Sequence, residues 1–429
     1  MTEASIVLVV TLFALLFSSA PIAVALGLTS FAYFFYFTTI PLTQVPERLF
    51  NSLNTFPLMA IPFFVLAASI MSRGGISRRI IAACNAVVGQ FRGGLAMTGV
   101  LACVFFAAIS GSSPATVVAV GTLIIPALIA NGYPRRFSTG LIATSGSLGI
   151  LIPPSIPLIV YGISTEESIG DLFLAGILPG LLAGAMLLVL VFVVSYRRGY
   201  GSGDEAIVMT TAEKLRALRD AVLSLALPAF VLGGIYGGVF TPTEAAAMAV
   251  FYAVIVSVFV YRELDLRDLG GILLSSARTS AMIMFIIANG ILFSFVLTSE
   301  QIPRDITETL LGYELDKWSF LLLVNLLLLV AGCFMETSSA ILIIAPILLP
   351  LAVELGVNPI HLGIIMVMNL EIGMVTPPLG LNLFVASGMS GMSVLQVARA
   401  AIPTALVLIA ALFLVTYVPA ISLALLGGG

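Results

Sequence analysis

The chain has 429 residues, of which 18 are Lys or Arg and 21 are Asp or Glu, so charged residues make up only 9% of the sequence. Soluble domains carry about 25% charged residues, whereas hydrophobic residues make up 60% of this chain and its mean hydropathy is +1.17. A soluble enzyme is excluded, because a water-facing surface cannot be built from so few charges. The composition predicts an all-α polytopic membrane protein.

The apolar runs are continuous, whereas the strands of an outer-membrane barrel alternate apolar and polar residues. A helix needs about 20 apolar residues to cross the bilayer core, and the chain has material for ten or more spans. With the N-terminus outside, the predicted spans in chain order are about 4–19, 21–40, 57–72, 137–165, 172–196, 221–240, 243–261, 279–299, 359–388 and 401–425.

Two further apolar runs, 93–134 and 318–353, are predicted to enter and leave on one side as hairpins. With this arrangement, fifteen of the 18 basic residues lie inside and only Arg48, Arg304 and Lys317 lie outside. Basic residues accumulate on the cytoplasmic side of membrane proteins, so the N-terminus is predicted to lie outside. Residues 199–220 form a cytoplasmic linker between the halves 1–198 and 221–429, and the amphipathic segments 75–92 and 264–278 are expected to lie along the interface.

Glycine and proline recur between the two halves at an offset of 224 residues. The coincidences are Pro126 with Pro350, Gly132 with Gly356, Gly149 with Gly373, Pro153 with Pro377, Pro154 with Pro378 and Pro179 with Pro403. Each half has five spans and one hairpin, and five is odd, so the second half is predicted to be inverted relative to the first. Inverted repeats with broken helices at mid-membrane are typical of secondary transporters. Two unrelated bundles with similar proline placement remain the alternative.

Each hairpin carries a polar interruption, residues 110–116 (SGSSPAT) in the first half and 336–339 (ETSS) in the second. The sequence leaves open whether the tips stop at the midplane or cross. Hydroxyls and backbone amides at helix N-termini suit an anionic group. The candidate substrate-binding residues are therefore Ser112, Ser113, Pro114, Thr116, Thr337, Ser338, Ser339 and Asn382.

A Pro-Pro pair interrupts one span in each half. Proline has no N–H, so the carbonyls of Gly149 and Ile150, and those of Gly373 and Met374, are predicted to lack their helical donors. A buried carbonyl without a partner is costly, and a sodium ion held by carbonyls and hydroxyls would satisfy it. The alternative is a packing kink satisfied by nearby Ser or Thr. The candidate sodium ligands are Ser110, Ser112, Ser113, Ser145, Gly149, Ile150 and Pro153 in one site, and Glu336, Thr337, Gly373, Met374, Val375 and Thr376 in the other.

Three other polar residues allow weaker interpretations. Glu244 is either a helix cap or functional, and Glu371 is a functional candidate because it is an acid within a span. His361, the only histidine, is expected to have a surface role. The two lysines, Lys214 and Lys317, do not lie in a GK[ST] string, so no P-loop for ATP is present. No catalytic constellation or nucleic-acid motif is found, and an enzyme is not expected.

Four stretches of this sequence carry a resemblance to a known family: 110–116, 149–155 (GILIPPS), 237–245 (GGVFTPTEA) and 373–382 (GMVTPPLGLN). Through them the sequence resembles the large membrane subunit (DctM-like, M subunit) of tripartite ATP-independent periplasmic (TRAP) transporters, along essentially its whole length. The resemblance implies an elevator-type, sodium-driven importer of the bacterial inner membrane with a periplasmic N-terminus. The implied substrates are organic-acid anions such as C4-dicarboxylates and sialic acids.

The resemblance also implies two protein partners. These are a small four-helix membrane subunit (Q-type), expected as a separate chain, and a periplasmic substrate-binding protein (P-type) that docks on the outer face. About two sodium ions and no ATP are implied. A proton-coupled carrier or antiporter of the same superfamily, relying on Glu371, is the alternative, and the inverted repeat disfavours a pure channel.

Overall fold

A computed structural model of the chain describes residues 3–18, 20–38, 41–200, 209–312, 316–378 and 380–427. The described residues form α-helices with short 3-10 and π-helical turns, and no strand occurs among them. The all-α prediction is confirmed. The helices of the first half are α1 Glu3–Phe17, α2 Ile22–Phe37, α3 Gln44–Leu53, α4 Ala60–Arg73, α5 Ile76–Val88, α6 Gly94–Ser110, α7 Ser113–Ala130, α8 Arg135–Ser145, α9 Ile156–Thr165 and α10 Ile169–Arg198.

The second half begins with three long helices and then repeats the alternation of hairpin and broken helix. Its helices are α11 Thr211–Tyr236, α12 Pro242–Val254, α13 Leu269–Ser299, α14 Ile302–Leu311, α15 Lys317–Phe334, α16 Thr337–Glu354, α17 Pro359–Gly373, α18 Leu381–Ser390, α19 Val394–Tyr417 and α20 Ala420–Leu423. Within the described ranges, nine helical segments are long and apolar enough to cross a membrane. The chain is a multi-pass membrane protein.

Two helix boundaries differ from the sequence prediction, and helix capping explains the first of them. α11 starts inside the predicted linker, where the Thr210 hydroxyl accepts from the Glu213 N–H at 3.3 Å and the Glu213 carboxylate accepts from the Thr210 N–H at 2.7 Å. Residues 201–208 of that linker lie outside the described residues. α13 is 31 residues long, about 46 Å at 1.5 Å per residue, so the predicted interfacial segment 264–278 is largely continuous with the span that follows.

The helices pack into two groups. In the first group α12 packs against α4, α11 against α5, and α13 against both α2 and α4. In the second group α8 packs against α19, α9 against α16, and α7 against α18. Each of these latter three pairs joins one half of the chain to the other. The hairpins and broken helices of both halves therefore form one interlocked body, packed beside the long helices.

Residues that recur at the offset of 224 occupy corresponding places in these helices. Pro126 lies inside α7 and Pro350 inside α16. Gly132 and Gly356, which follow these two helices, have φ angles of +78° and +73°, a left-handed conformation that favours glycine. Pro179 and Pro403 lie inside α10 and α19. The inverted orientation of the second half stays a prediction.

Two of the weaker sequence interpretations are decided by side-chain contacts. Glu244 caps α12, since its carboxylate accepts from the Thr241 N–H at 2.8 Å. The expectation of a surface role for His361 is wrong, because its side chain is 1% exposed. Its ring contacts the Ser422 hydroxyl at 2.6 Å and the Thr416 carbonyl at 3.3 Å, so it joins α17 to the C-terminal helices.

Candidate functional site

The first hairpin turns at Gly111 and Ser112, between α6 and α7. Gly111 has a φ of +59° and ends α6, and the polar residues around it bond to one another. The Ser110 hydroxyl lies 2.9 Å from that of Thr116, and the Thr116 hydroxyl donates to the Ser112 carbonyl at 2.9 Å. These local bonds hold the tip in a defined shape.

The first broken helix passes directly behind this tip. After α8 the chain forms a 3-10 turn, Gly146–Ile150, and then leaves helical conformation until Ser155 caps α9. The Pro153-Pro154 peptide bond is cis. The Ile156 N–H donates to the Gly111 carbonyl at 3.4 Å, so the break and the tip of the same half are in backbone contact, as the sequence predicts.

The second half repeats this arrangement. α15 and α16 meet at Met335 and Glu336, and the break runs from Met374 to α18, with a cis bond between Pro377 and Pro378. The Gly380 N–H donates to the Cys333 carbonyl at 3.3 Å. Gly380 lies 224 positions after Ile156, so the N–H groups that join break and hairpin come from corresponding residues in the two halves.

Asn382 connects the two halves at the centre of this body. Its side-chain amide donates to the Ser147 hydroxyl at 2.8 Å and lies 3.1 Å from the Ser113 hydroxyl. Ser113 is the first residue of α7, and Ser147 lies in the first break. All three side chains are buried. The side-chain contact therefore crosses between halves, whereas the sequence paired each tip with the break of its own half.

Thr337, the first residue of α16, makes the corresponding contact in the second half. Its hydroxyl donates to one carboxyl oxygen of Glu371 at 2.7 Å. The Met374 sulfur lies 3.2 Å from the Thr337 hydroxyl and 3.9 Å from that of Ser113. The N-termini of α7 and α16 thus approach one another across a single methionine. Because helix N-termini attract negative charge, this centre suits an anion.

Glu336, the N-cap of α16, is the only acidic residue in the two hairpin tips, 110–116 and 336–339. Its carboxylate accepts from the Ser338 hydroxyl at 3.0 Å, the Ser339 N–H at 3.1 Å and the Ser339 hydroxyl at 3.3 Å. The side chain is half-buried. Since an ionised carboxylate has about four acceptor positions, it retains capacity for a cation.

The predicted unsatisfied carbonyls occur in one break but not in the other. The Gly373 carbonyl accepts from the Thr376 N–H at 2.9 Å, and that of Met374 accepts from the Asn382 N–H at 3.1 Å. The expectation for Gly373 and Met374 is therefore wrong, because the chain after the prolines folds back and supplies other donors. Within the described part of the chain, the carbonyls of Gly149 and Ile150 accept no hydrogen bond.

Two buried oxygens without a hydrogen-bond partner lie at corresponding places in the two halves. They are the Ser145 hydroxyl, at the end of α8, and the side-chain carbonyl of Asn369 in α17. Asn369 lies 224 positions after Ser145. The Asn369 amide meanwhile donates to the backbone carbonyl and side-chain oxygen of Asn325 at 2.9 and 2.8 Å. A buried acceptor with capacity for a cation thus precedes each break at the same position of the repeat.

Several other predicted residues of the hairpins and breaks form no side-chain hydrogen bond with Asn382 in the described part of the chain. Thr376 donates to the Ile372 carbonyl at 2.8 Å, Val375 packs in an apolar cluster with Val117 and Leu383, and Pro114 begins α7. Pro153 is buried in the first break. In the fourth resemblance stretch, 373–382, Leu379 lies outside the described residues.

Sequence reasoning missed Ser147 as a site residue and weighed Glu371 without placing it. A signal for both was present, because Glu371 lies 224 positions after Ser147. The offset that aligns the prolines also aligns these two side chains. Ser147 bonds to Asn382, which in turn bonds to Ser113 at the N-terminus of α7, and Glu371 bonds to Thr337 at the N-terminus of α16.

Comparison with known sequences gives a consistent result. Residues 9–421 match the family described as "Tripartite ATP-independent periplasmic transporter, DctM component". The C4-dicarboxylate TRAP transporter large permease protein DctM of Rhodobacter capsulatus is 47% identical, over 96% of this chain and 97% of its own length. The protein of the same name from Pseudomonas aeruginosa is 48% identical, over 94% and 93%.

One relative is longer than this chain. The isethionate TRAP transporter permease protein DctMQ of Oleidesulfovibrio alaskensis is 44% identical, and the match covers 94% of this chain but 63% of that protein. Among solved structures, the YdaH transporter of Alcanivorax borkumensis superimposes with a TM-score of 0.65 at 15% identity, over 97% of this chain and 98% of its own. At that identity the likeness concerns the fold alone.

Proposed function

Because this chain belongs to the DctM family of tripartite ATP-independent periplasmic transporters, we propose that it carries out sodium-coupled import of an organic-acid anion. It is a transporter subunit, the large permease, and not an enzyme. A C4-dicarboxylate is the favoured substrate, because the R. capsulatus and P. aeruginosa relatives carry that substrate in their names. The isethionate relative indicates that the anionic group can differ within the family.

The observation that carries the proposal is the approach of two helix N-termini, those of α7 and α16, to one buried centre. Met374 lies between Ser113 and Thr337, and Asn382 bonds to Ser113 from the other side. Backbone N–H groups and hydroxyls at such positions bind carboxylates. The carboxylate of the substrate would be held by Ser112, Ser113 and Thr116 of one tip and by Thr337, Ser338 and Ser339 of the other, with Asn382 between them.

Sodium coupling has an electrostatic reason in this arrangement. Glu336 puts a negative charge at the N-terminus of α16, where it would repel an anionic substrate. A sodium ion beside Glu336 would offset that charge and allow the anion to bind. Glu336 keeps free acceptor capacity for such an ion. A second ion would fit the first break, which leaves the Gly149 and Ile150 carbonyls and the Ser145 hydroxyl without donors.

The family and the two groups of helices support the remaining parts of the proposal. The interlocked body of hairpins and broken helices would slide across the inner membrane against the long helices, as an elevator. A small membrane subunit would assemble with this large permease in the membrane. A periplasmic binding protein would deliver the substrate, with the N-terminus of this chain on the same side.

The proposal is tested by uptake of radiolabelled succinate into proteoliposomes that contain the large subunit, the small subunit and the binding protein. An inward sodium gradient is expected to raise uptake at least tenfold over an equal choline gradient. Collapse of the sodium gradient should abolish the increase. Equal uptake in sodium and choline would refute the sodium coupling, and no uptake of any C4-dicarboxylate would refute the substrate class.

A further inference from the structure

Asn325 lies in the middle of α15, and the proposed function does not use it. Its side chain is 4% exposed and faces Asn369 of α17, which is fully buried. The Asn369 amide donates to the Asn325 backbone carbonyl at 2.9 Å and to its side-chain oxygen at 2.8 Å. The Asn325 amide in turn donates to the Thr416 hydroxyl at 3.1 Å. Three buried polar side chains thus join α15, α17 and α19.

Small residues bring α15 and α17 close enough for these hydrogen bonds. Gly332 follows Asn325 by seven residues, which is about two helical turns. Gly373 follows Asn369 by four residues, about one turn, so each glycine shares a helix face with its asparagine. A Cβ built on Gly332 would lie 2.7 Å from the Leu370 carbonyl oxygen and 3.0 Å from the Gly373 Cα. The two backbones are therefore in contact on the faces that carry the asparagines.

The hydrogen bonds fix the direction in which the Asn369 amide points. A backbone carbonyl can only accept, so the atom of Asn369 that faces the Asn325 carbonyl is the nitrogen. The side-chain oxygen of Asn369 is consequently turned away from that carbonyl. This oxygen is buried and, within the described ranges, has no hydrogen-bond partner. An unpaired buried acceptor is costly, and a bound cation would remove that cost.

Asn369 lies close to the sodium site proposed for the second half. Thr337 of the second tip bonds to Glu371 of α17 at 2.7 Å. Asn369 is two residues before Glu371 on the same helix, a rise of about 3 Å. Glu336 is adjacent to Thr337, so the Asn369 oxygen belongs to the same region of the molecule as the Glu336 carboxylate. Hard cations are held by several oxygens at once, and asparagine carbonyls are among them.

The first half carries a different pair of residues at these positions. At the offset of 224, Asn369 corresponds to Ser145, and Asn325 corresponds to Leu101 of α6. A serine hydroxyl is short and rotates to suit its neighbours, so it needs no partner to direct it, and leucine stands where that partner would be. An asparagine amide has a donor end and an acceptor end, and in the second half it has another asparagine opposite it.

We propose that Asn325 is a positioning residue, which holds the Asn369 amide so that the Asn369 side-chain oxygen is available to the sodium ion of the second half. Asn325 acts through Asn369 and does not touch the ion. The inference rests on the proposed sodium coupling, and it adds the Asn369 oxygen to the Glu336 carboxylate as a ligand of that ion.

Equilibrium binding of radioactive sodium to the purified large subunit tests this role. Asn325→Leu is expected to weaken one of the two sodium sites at least fivefold, because the Asn369 amide keeps only the backbone carbonyl as a partner and can turn. Asn325→Ala covers the case that leucine does not fit, and it should weaken the same site.

Thr416→Val is the matched control, since it removes the other hydrogen bond of Asn325 and keeps the pair with Asn369. Like Asn325→Leu it should lower the Tm, because it also leaves a buried polar group without its partner. Sodium affinity in this control is expected to stay within twofold of the wild type.

A double-mutant cycle separates positioning from a purely structural role. Asn369→Ser supplies the kind of hydroxyl that the first half has at Ser145, which needs no direction from Asn325. In that background Asn325→Leu reproduces the pair of Leu101 and Ser145, and it is expected to change sodium affinity less than twofold. Such non-additive effects are the signature of residues that act through one another.

A fivefold loss from Asn325→Leu in both backgrounds would indicate a general packing defect and overturn the proposal. Unchanged sodium binding in Asn325→Leu and Asn325→Ala would also overturn it, as would an equal loss in Thr416→Val. A wild type that binds no sodium would refute the proposed sodium coupling and this inference with it. The first three results leave sodium binding by the wild type intact, so the two failures are distinguishable.

Discussion

At the scale of single residues, Asn382 is the connection on which the central site depends. Its one amide group serves Ser147 at 2.8 Å and Ser113 at 3.1 Å, and its backbone N–H serves the Met374 carbonyl. The sequence placed Asn382 among the substrate-binding candidates. It could not show that the partners lie in the other half of the chain, since that depends on how α18 packs against α7.

Substitution of Asn382 by alanine is expected to weaken substrate binding without unfolding the protein. Ser113 and Ser147 would each lose a buried hydrogen-bond partner, at about 1–3 kcal/mol each, and 1.4 kcal/mol corresponds to a tenfold change in affinity. We therefore expect the apparent KM for succinate to rise about tenfold or more. Asn131→Ala is the matched control, because Asn131 bonds only to its own helix, at the Ala127 carbonyl. Equal KM values in both variants would contradict the assignment.

The limits of sequence reasoning are clearest for the carbonyls of the two breaks. Missing N–H groups at Pro153 and Pro377 are certain from the sequence, and they predict missing donors equally in both halves. In the folded protein the two breaks differ, because the N–H groups of Thr376 and Asn382 donate to the Gly373 and Met374 carbonyls of the second break. Donors from residues beyond the break depend on the path of the chain, which a local pattern does not contain.

At the scale of elements, a glycine in each broken helix allows close contact with the hairpin of the same half. A Cβ built on Gly149 would collide with Ala107 of α6, and one built on Gly373 would lie 2.5 Å from the backbone of Gly332 in α15. These two glycines correspond at the offset of 224. The sequence identified them as markers of the repeat, and the structure supplies the reason, which is close backbone approach.

Alanine at these positions is expected to push the broken helix away from its hairpin. Overpacking of this kind costs about 1–3 kcal/mol, so Gly149→Ala and Gly373→Ala should lower the Tm of the purified protein by several degrees and reduce sodium-dependent uptake. Gly388→Ala is the control, since Gly388 lies inside α18 and a Cβ there meets nothing within 4 Å. Alanine favours a helix over glycine, so this variant should be as stable as the wild type. A larger loss of stability in the control would contradict the account.

Helix existence and order were predictable from the sequence because apolar runs and Pro-Pro pairs are strong local signals. Helix ends were less so. α11 begins ten residues before the predicted span 221–240, because Thr210 and Glu213 cap it, and α19 begins at Val394 for the same reason, since Ser393 and Gln396 form a second capping box. Capping residues are visible in a sequence, but polar residues next to a span fit a loop equally well.

At the scale of the whole molecule, the packing of α8 with α19, α9 with α16 and α7 with α18 places side chains from both halves in one body. The scarcity of charge, 9% of the residues, gives this body few ways to hold a cation. Backbone carbonyls, hydroxyls, one half-buried acid at the second tip and one buried acid in α17 are the available groups. The proposed mechanism uses Glu336 for one sodium ion and the oxygens of the first break for another.

The central claim, that sodium binds at Glu336 of the second tip and at the first break, is tested most directly by equilibrium binding of radioactive sodium to the purified protein. We predict saturable binding of about two ions, as expected for paired sites in an inverted repeat, with no competition from potassium at equal concentration. Ser145→Ala removes an unpaired oxygen before the first break and should weaken or remove one of the two sites, whereas Ser387→Ala, which removes a hydroxyl bonded to the Met392 carbonyl, should leave both. Absence of saturable sodium binding, or identical binding in the Ser145 variant and the wild type, would contradict the account.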